Sequence, residues 1–329
     1  MTRASPDRQA TTIRDRVWGP AIHPAEPAVM RPPAVYLLGA ATVMVLGANW
    51  PIMAHGVTVI PAEWLAALRL CGAAALVAGF MAMRRRIRRP SRHDLPILVS
   101  VGVIRLAVVT TSVFVALRFV PPGRSSILVY ASTLWTAPMA AVVLRERLTA
   151  LRLMGLCLGC TGLVLLLEPW SLDWSDDRTV AGFGLLLFAS IMSAATTVHV
   201  RAHSWRSTPL ELMPWQLGIA ALPITVLAFA LDGLPHVEWT LATVGVVAYQ
   251  IALASAFAVW GAITLMRSVP AISANLILMA VPVVGLLSSI VFVDEPASTT
   301  VALSLVLVLG GVGLGLLSDR RGAAVEAVL

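Results

Sequence analysis

The sequence predicts an all-α polytopic membrane protein: ten transmembrane helices in two inverted-topology five-helix repeats. Three observations carry this. Apolar residues make up 58% of the 329-residue chain and charged residues 12%, about half the charged share of a soluble domain. Apolar runs recur at 34–53, 63–83, 95–117, 124–143, 150–167, 180–200, 210–231, 239–265, 270–292 and 298–317, and a span takes roughly 20 such residues. The chain also repeats itself. A shift of 149 residues lays 117–167 on 266–316 and brings Arg118 onto Arg267, Pro121 onto Pro270, Glu146 onto Glu295 and Gly162 onto Gly311.

Charge sets the orientation. The chain has 24 basic residues, all arginine. Nineteen of the 24 fall in segments that are cytoplasmic if the N-terminus is inside, as the positive-inside rule requires. The run RRRIRRPSR at 84–92 is then a topology anchor and not a nucleic-acid patch. Acids collect on the other side: Glu168, Asp173, Asp176, Asp177, Asp232, Glu238, Asp294 and Glu295. Five spans per half is an odd number, so the second half runs upside down, the plan of carriers that expose one site to alternate sides. The expected organisation is a largely disordered cytoplasmic tail at 1–33, a first repeat at 34–167, an extracytoplasmic linker at 168–179, a second repeat at 180–317 and a short cytoplasmic tail at 318–329.

Taken in order, the spans offer these candidates. In the first, Asn49 and Trp50 precede Pro51; the proline frees a carbonyl one turn earlier, within reach of a substrate amine. The second holds Arg69 in its outer third, a gate residue. The third holds Arg105 near its middle. An arginine there is costly unless it faces water or the bundle interior, and its planar fork suits a carboxylate. The fourth holds Tyr130 and Trp135. In the fifth, Gly155 and Gly159 form a GxxxG seam, and Cys157 and Cys160 are small packing residues and not a redox pair. The sixth ends in HVRAH, with His199 at the repeat position of Trp50 and a second gate candidate; no third metal ligand accompanies His199 and His203. The eighth carries Tyr249, Gln250 and Trp260, the ninth Asn275 at the repeat position of Ser126, and the tenth a second GxxxG at Gly311 and Gly315.

The stretches LGANWPIMAHG, PAEWLAALRLCGAAALV, ALRFVPPGRSSILVYASTLWTAPMAAVVLRERLT and SVPAISANLILMAVPVVGLLSSIVFVDEPAS resemble the EamA type of the drug/metabolite transporter superfamily over about residues 34–317. The resemblance implies ten helices in inverted repeats, a cavity between the first four helices of each, and export of amino acids or other metabolites, aromatic and neutral ones among them. Arg105 departs from the family, which more often has a neutral or aromatic residue there.

The reading is therefore a secondary transporter of the bacterial inner membrane with both termini cytoplasmic. It exports small metabolites, with aromatic or neutral amino acids foremost, by facilitated diffusion or exchange. Substrate contacts are expected from Arg105, Asn49, Trp50, Tyr130, Trp135, Tyr249, Gln250, Trp260 and Asn275, and gating from Arg69 and His199. No catalytic residue, metal or cofactor is expected, since no nucleophile–base set, acid cluster or P-loop lies in the spans. The partners are a small-molecule substrate and membrane lipids, not nucleic acid, in a monomer or a homodimer. The alternative is a multidrug exporter of lipophilic or cationic compounds; more distant is an integral membrane enzyme.

Overall fold

A computed structural model of the chain describes residues 32–326 except 86, 145–148, 168–174, 204–205 and 269–276. The tail at 1–31, most of the predicted linker, the turn with Glu146, and Asn275 lie outside the described residues. Within the described residues the fold is entirely helical: α1 (Pro32–Val59), α2 (Ala62–Met83), α3 (Arg92–Ala116), α4 (Pro122–Val143), α5 (Ala150–Leu167), α6 (Asp177–Ala202), α7 (Pro209–Asp232), α8 (Leu241–Ser268), α9 (Val281–Val293) and α10 (Thr299–Glu326). Eight of the described helices, α1 to α8, are long and apolar enough to cross a membrane, and shorter apolar stretches cover Val281–Val293 and Thr299–Gly315. Helices suit these sequences because each satisfies its own backbone, which lipid cannot do.

Polar caps and prolines set the boundaries. Thr208 and Glu211 form a reciprocal capping box at the start of α7, Asp176 accepts from the Arg178 amide at α6, and Thr240 accepts from the Thr243 amide at α8. Pro61 and Pro121 stand just before α2 and α4. At its far end α10 runs past the predicted limit at 317 to Glu326, because no proline or capping group stops the helix where the apolar run ends.

The helix pairing has the symmetry of the repeat. Exchanging α1–α5 with α6–α10 turns the α1–α9 contact into α6–α4, α1–α8 into α6–α3, and α2–α8 into α7–α3; α2–α7, α4–α9 and α5–α10 map onto themselves. All of these contacts are made. Directions agree with an inverted second half. Gly155 lies on Gly311 and Gly162 on Ser304 and Leu307, so α5 and α10 run antiparallel. Gly39 meets Ile277 and Gly47 meets Val284, so α1 and α9 run parallel.

The same shift governs a feature the sequence did not announce. The middle of α3, Ser100–Val109, and the middle of α8, Tyr249–Phe257, are both wound as π-helix, a rare geometry that is frequent at functional sites. In α8 the Ser255 hydroxyl donates to the carbonyl of Gln250, 2.8 Å. The π segments face each other's repeat through α2 and α7.

Candidate functional site

A cavity of about 700 Å³ lies between the repeats, walled by α1, α2, α3, α4, α5, α6, α9 and α10. Of the predicted residues it gathers Asn49, Trp50, Arg69, Arg105 and Tyr130. Trp50 and Tyr130 meet edge to face, 6.5 Å between ring centroids, and with Phe114 and Met53 form an aromatic and thioether wall. Thr110, Ser132, Thr133, Ser193 and Thr197 add small polar groups. The lining extends toward the end of the bundle where α4 and α6 finish, where Ala140, Arg152, Arg201 and Gly315 stand.

The two span arginines are in opposite situations. Arg69 is committed to α8: Nε donates to Ser255 Oγ at 2.9 Å, Nη1 to Gln250 Oε1 at 3.1 Å and Nη2 to the carbonyl of Ala254 at 3.4 Å. Its guanidinium also lies 5.8 Å from the centre of the Phe114 ring. Arg105 is exposed to the cavity and makes one long bond, from Nη1 to the carbonyl of Ser193 at 3.5 Å. Arg69 thus ties α2 to the second repeat, and Arg105 presents most of its donors to the cavity.

The other predicted residues are placed as follows. Asn49 is buried on the cavity wall; its Nδ2 donates to Met53 Sδ at 3.1 Å, and its Oδ1 has no partner. Pro51 leaves α1 unbroken. The carbonyl it frees, that of Gly47, lies 3.4 Å from the Ser288 hydroxyl of α9, whose nearer acceptor is the Gly285 carbonyl at 3.0 Å. Gln250 is fully buried behind Arg69. Tyr249 donates to the carbonyl of Val45, 2.7 Å, and fastens α8 to α1. Trp135 packs in the core with its indole N–H unpartnered.

Trp260 is half exposed and packs on Phe257 at the bundle surface. It follows Tyr249 by eleven residues, about three α-helical turns, and would share that face in a regular helix. The intervening π-helix turns less per residue and rotates Trp260 outward.

His199 sits away from the cavity lining, 6.0 Å from His203. His203 is beyond the helix end, 3.3 Å from Asp94 Oδ1. The fully buried Asp94 also accepts from the amides of Arg206 and Ser207, which pins the start of α3 to the α6–α7 turn.

Off the cavity lining, where α4 begins, stands a residue known from the sequence as a repeat mark and one of the outer acids. Glu295 is 6% exposed. Its Oε2 accepts from the Gly123 amide at 2.7 Å and its Oε1 from the Arg124 amide at 3.2 Å, capping the first turn of α4 from the second repeat. Asp294, at a φ of 52°, makes the left-handed turn that aims it there. Burial pushes the Glu295 carboxyl above its ordinary range, against the opposing pull of those two amides and the Arg124 charge. Arg152 and Arg201, two of the nineteen arginines assigned to cytoplasmic segments, were not foreseen as cavity residues. Among the described residues no group of three metal-ligating side chains forms.

Residues 33–168 match the model of the EamA-like transporter family. A probable amino-acid metabolite efflux pump of Salmonella typhimurium is 28% identical over 289 residues, covering 84% of this chain and 93% of that protein. Its namesake in Escherichia coli is 26% identical over 303 residues, covering 88% and 97%. An uncharacterized transporter of Bacillus subtilis is 23% identical over 281 residues, covering 84% and 95%. One crystal structure superposes with a TM-score of 0.61 at 23% identity, over 88% of this chain and 98% of that one, and so shares the fold.

Proposed function

We propose that this chain is an EamA-type transporter of the drug/metabolite transporter superfamily and that it exports small carboxylate metabolites of the amino-acid class, aromatic or neutral, across the bacterial inner membrane. Both termini are cytoplasmic in this reading. The cavity then reaches toward the cytoplasm, and the Glu295 cap lies on the outer side. Transport proceeds by alternating access, the two repeats rocking about the shared cavity.

The observation that carries the reading is Arg105: an arginine with most of its donors facing a cavity between the repeats, beside an aromatic wall. A carboxylate takes two parallel hydrogen bonds from such a fork, while Trp50, Tyr130 and Phe114 offer a face to an apolar or aromatic side chain. Among the described residues the cavity lining holds no Asp or Glu, the usual seat of proton coupling. This favours facilitated diffusion or exchange. Arg105 facing the cavity disfavours a multidrug exporter of lipophilic cations.

The test is counterflow in proteoliposomes with a panel of labelled amino acids and their deaminated or acylated derivatives, for the wild-type chain and Arg105→Ala. Saturable exchange of a carboxylate that Arg105→Ala abolishes supports the reading. Exchange of cationic dyes in place of carboxylates would establish the multidrug reading instead.

A further inference from the structure

We propose that a second cavity, on the lipid side of α1, is a binding site for one membrane phospholipid, which seats its phosphate at Arg118 and an acyl chain along the helix. The site is separate from the transport cavity, and only the name of its leaflet depends on the orientation proposed above.

This cavity has a volume of about 680 Å³ and lies between α1, the start of α8, the end of α9 and the turn joining α3 to α4. It shares α1 with the central cavity but takes the other side of the helix. Leu46, Asn49, Trp50 and Met53 line the central cavity; Ala48, Pro51, Ile52 and His55 line this one. Each set has the spacing of one helix face, and the second follows the first by a step of about 200° around the axis. The stripe continues down α1 through Leu37 and Met44, both exposed. In a bundle that crosses the membrane such a stripe faces hydrocarbon. The exposed Phe292 of α9 stands beside it.

The groove has the depth and the polarity of one leaflet. From Ala48, near the middle of α1, to Thr58, next to its end, it follows the helix for about 15 Å, half of a hydrocarbon core of about 30 Å. Polar side chains gather at the outer end: His55, Thr58 and Arg118, all exposed. The Thr58 hydroxyl is taken by the His55 carbonyl, 2.7 Å. The His55 ring offers an N–H, and the Arg118 guanidinium offers a fork that matches a phosphate. Among the described residues Arg118 rests 5.9 Å from the centre of the Phe119 ring and forms no ion pair. The described lining holds no Asp or Glu. Asp294 follows Val293 outside the lining, and Glu295 is turned to the Gly123 and Arg124 amides. A free phosphate would satisfy the polar end and leave the apolar groove empty; a phospholipid satisfies both. Pro122 and Val293 on the lining adjoin Gly123 and Asp294, so a seated lipid braces the junction of α4 with the end of α9.

Three probes separate the parts of the ligand: dioleoylphosphatidylglycerol, dioleoylglycerol and inorganic phosphate. Full-length protein stripped of lipid in detergent is titrated with each, bound molecules are counted by native mass spectrometry, and the melting temperature is followed. We expect one phosphatidylglycerol to be retained at about tenfold lower concentration than dioleoylglycerol and to raise the melting temperature, with phosphate alone without effect. Arg118→Gln should remove the advantage of the phosphate. Arg178→Gln, at an outer arginine off the lining, should keep it. Ala48→Phe, which fills the inner groove, should weaken both lipids; if that variant does not fold, the arginine pair carries the test. Equal retention of the two lipids by the wild-type protein overturns the inference, as does an Arg118→Gln variant that keeps the advantage or an Arg178→Gln variant that loses it. Stabilisation by phosphate alone would make this a site for a soluble anion and overturn the lipid assignment. None of these readings uses transport, so failure of the exporter reading is a separate result.

Discussion

Arg69 and Arg105 show how position in a bonding network decides what one side chain does. Three groups of α8 receive the Arg69 guanidinium; replacing it by alanine strands the buried Gln250 and Ser255 oxygens. Arg69→Ala should cost about 2–3 kcal/mol of stability, read as a lower melting temperature in detergent. Arg105, with a single bond at 3.5 Å, strands little when removed. Arg105→Ala should leave the melting temperature within a few degrees of wild type while carboxylate exchange falls at least about 100-fold, as expected for a charged hydrogen bond worth about 3 kcal/mol. The reverse pattern, an unstable Arg105 variant and a stable Arg69 variant, would exchange their roles. That both arginines matter was legible from their rarity in apolar spans; which one binds was not. The Arg69 partners lie more than 180 residues away in sequence, and only the packed α2–α8 contact brings them together. Trp260 went astray for a related reason, because the π-helix before it breaks the face count that a regular helix would allow.

At the scale of elements, the Glu295 cap on α4 and the α5–α10 seam carry predictions. A Cβ at Gly123 would stand 2.7 Å from Glu295 Oε2 and 2.9 Å from Oε1, closer than real contacts allow. Gly123→Ala should therefore loosen the cap and expose an introduced cysteine near Arg124 to an impermeant thiol reagent. Glu295 also gives the cap a pH dependence. Its carboxyl is raised by burial, so the docked state favours the protonated form. The stabilisation from this group is complete below the ordinary carboxyl range, near about 4.3, and is lost as pH rises through the raised value. Reagent accessibility should rise with pH across that window in the wild-type protein and stay flat in Glu295→Gln; an equal slope in both would acquit this residue. On the other side of the bundle, Gly155 and Gly311 bring the backbones of α5 and α10 together, and a Cβ at Gly311 would collide with the Gly155 carbonyl. Gly311→Leu should destabilise by about 1–3 kcal/mol through overpacking. The GxxxG motifs were plain in the sequence, but their partner was not. The fold spends Gly155 and Gly311 on each other, within one molecule.

For the whole molecule, the internal repeat was the most informative signal in the chain. Pro121, Glu146 and Gly162 realign with Pro270, Glu295 and Gly311, and the helix pairings map onto one another under the same exchange. Repeat order and direction were legible because a span is a long apolar run, and runs can be counted. The cavity's composition was less so, because it draws on eight helices, and no local pattern tells which face of each turns inward. The paired π segments of α3 and α8 obey the repeat but left no mark in hydropathy.

The central claim is that this cavity carries a carboxylate across the membrane by exposure to each side in turn. Counterflow tests it most directly: proteoliposomes loaded with an unlabelled aromatic carboxylate, diluted into a trace of the labelled compound with no ion gradient. The account predicts a transient accumulation of label above equilibrium, absent from empty liposomes and lost in Arg105→Ala. Label entry that never exceeds equilibrium and does not saturate would contradict it.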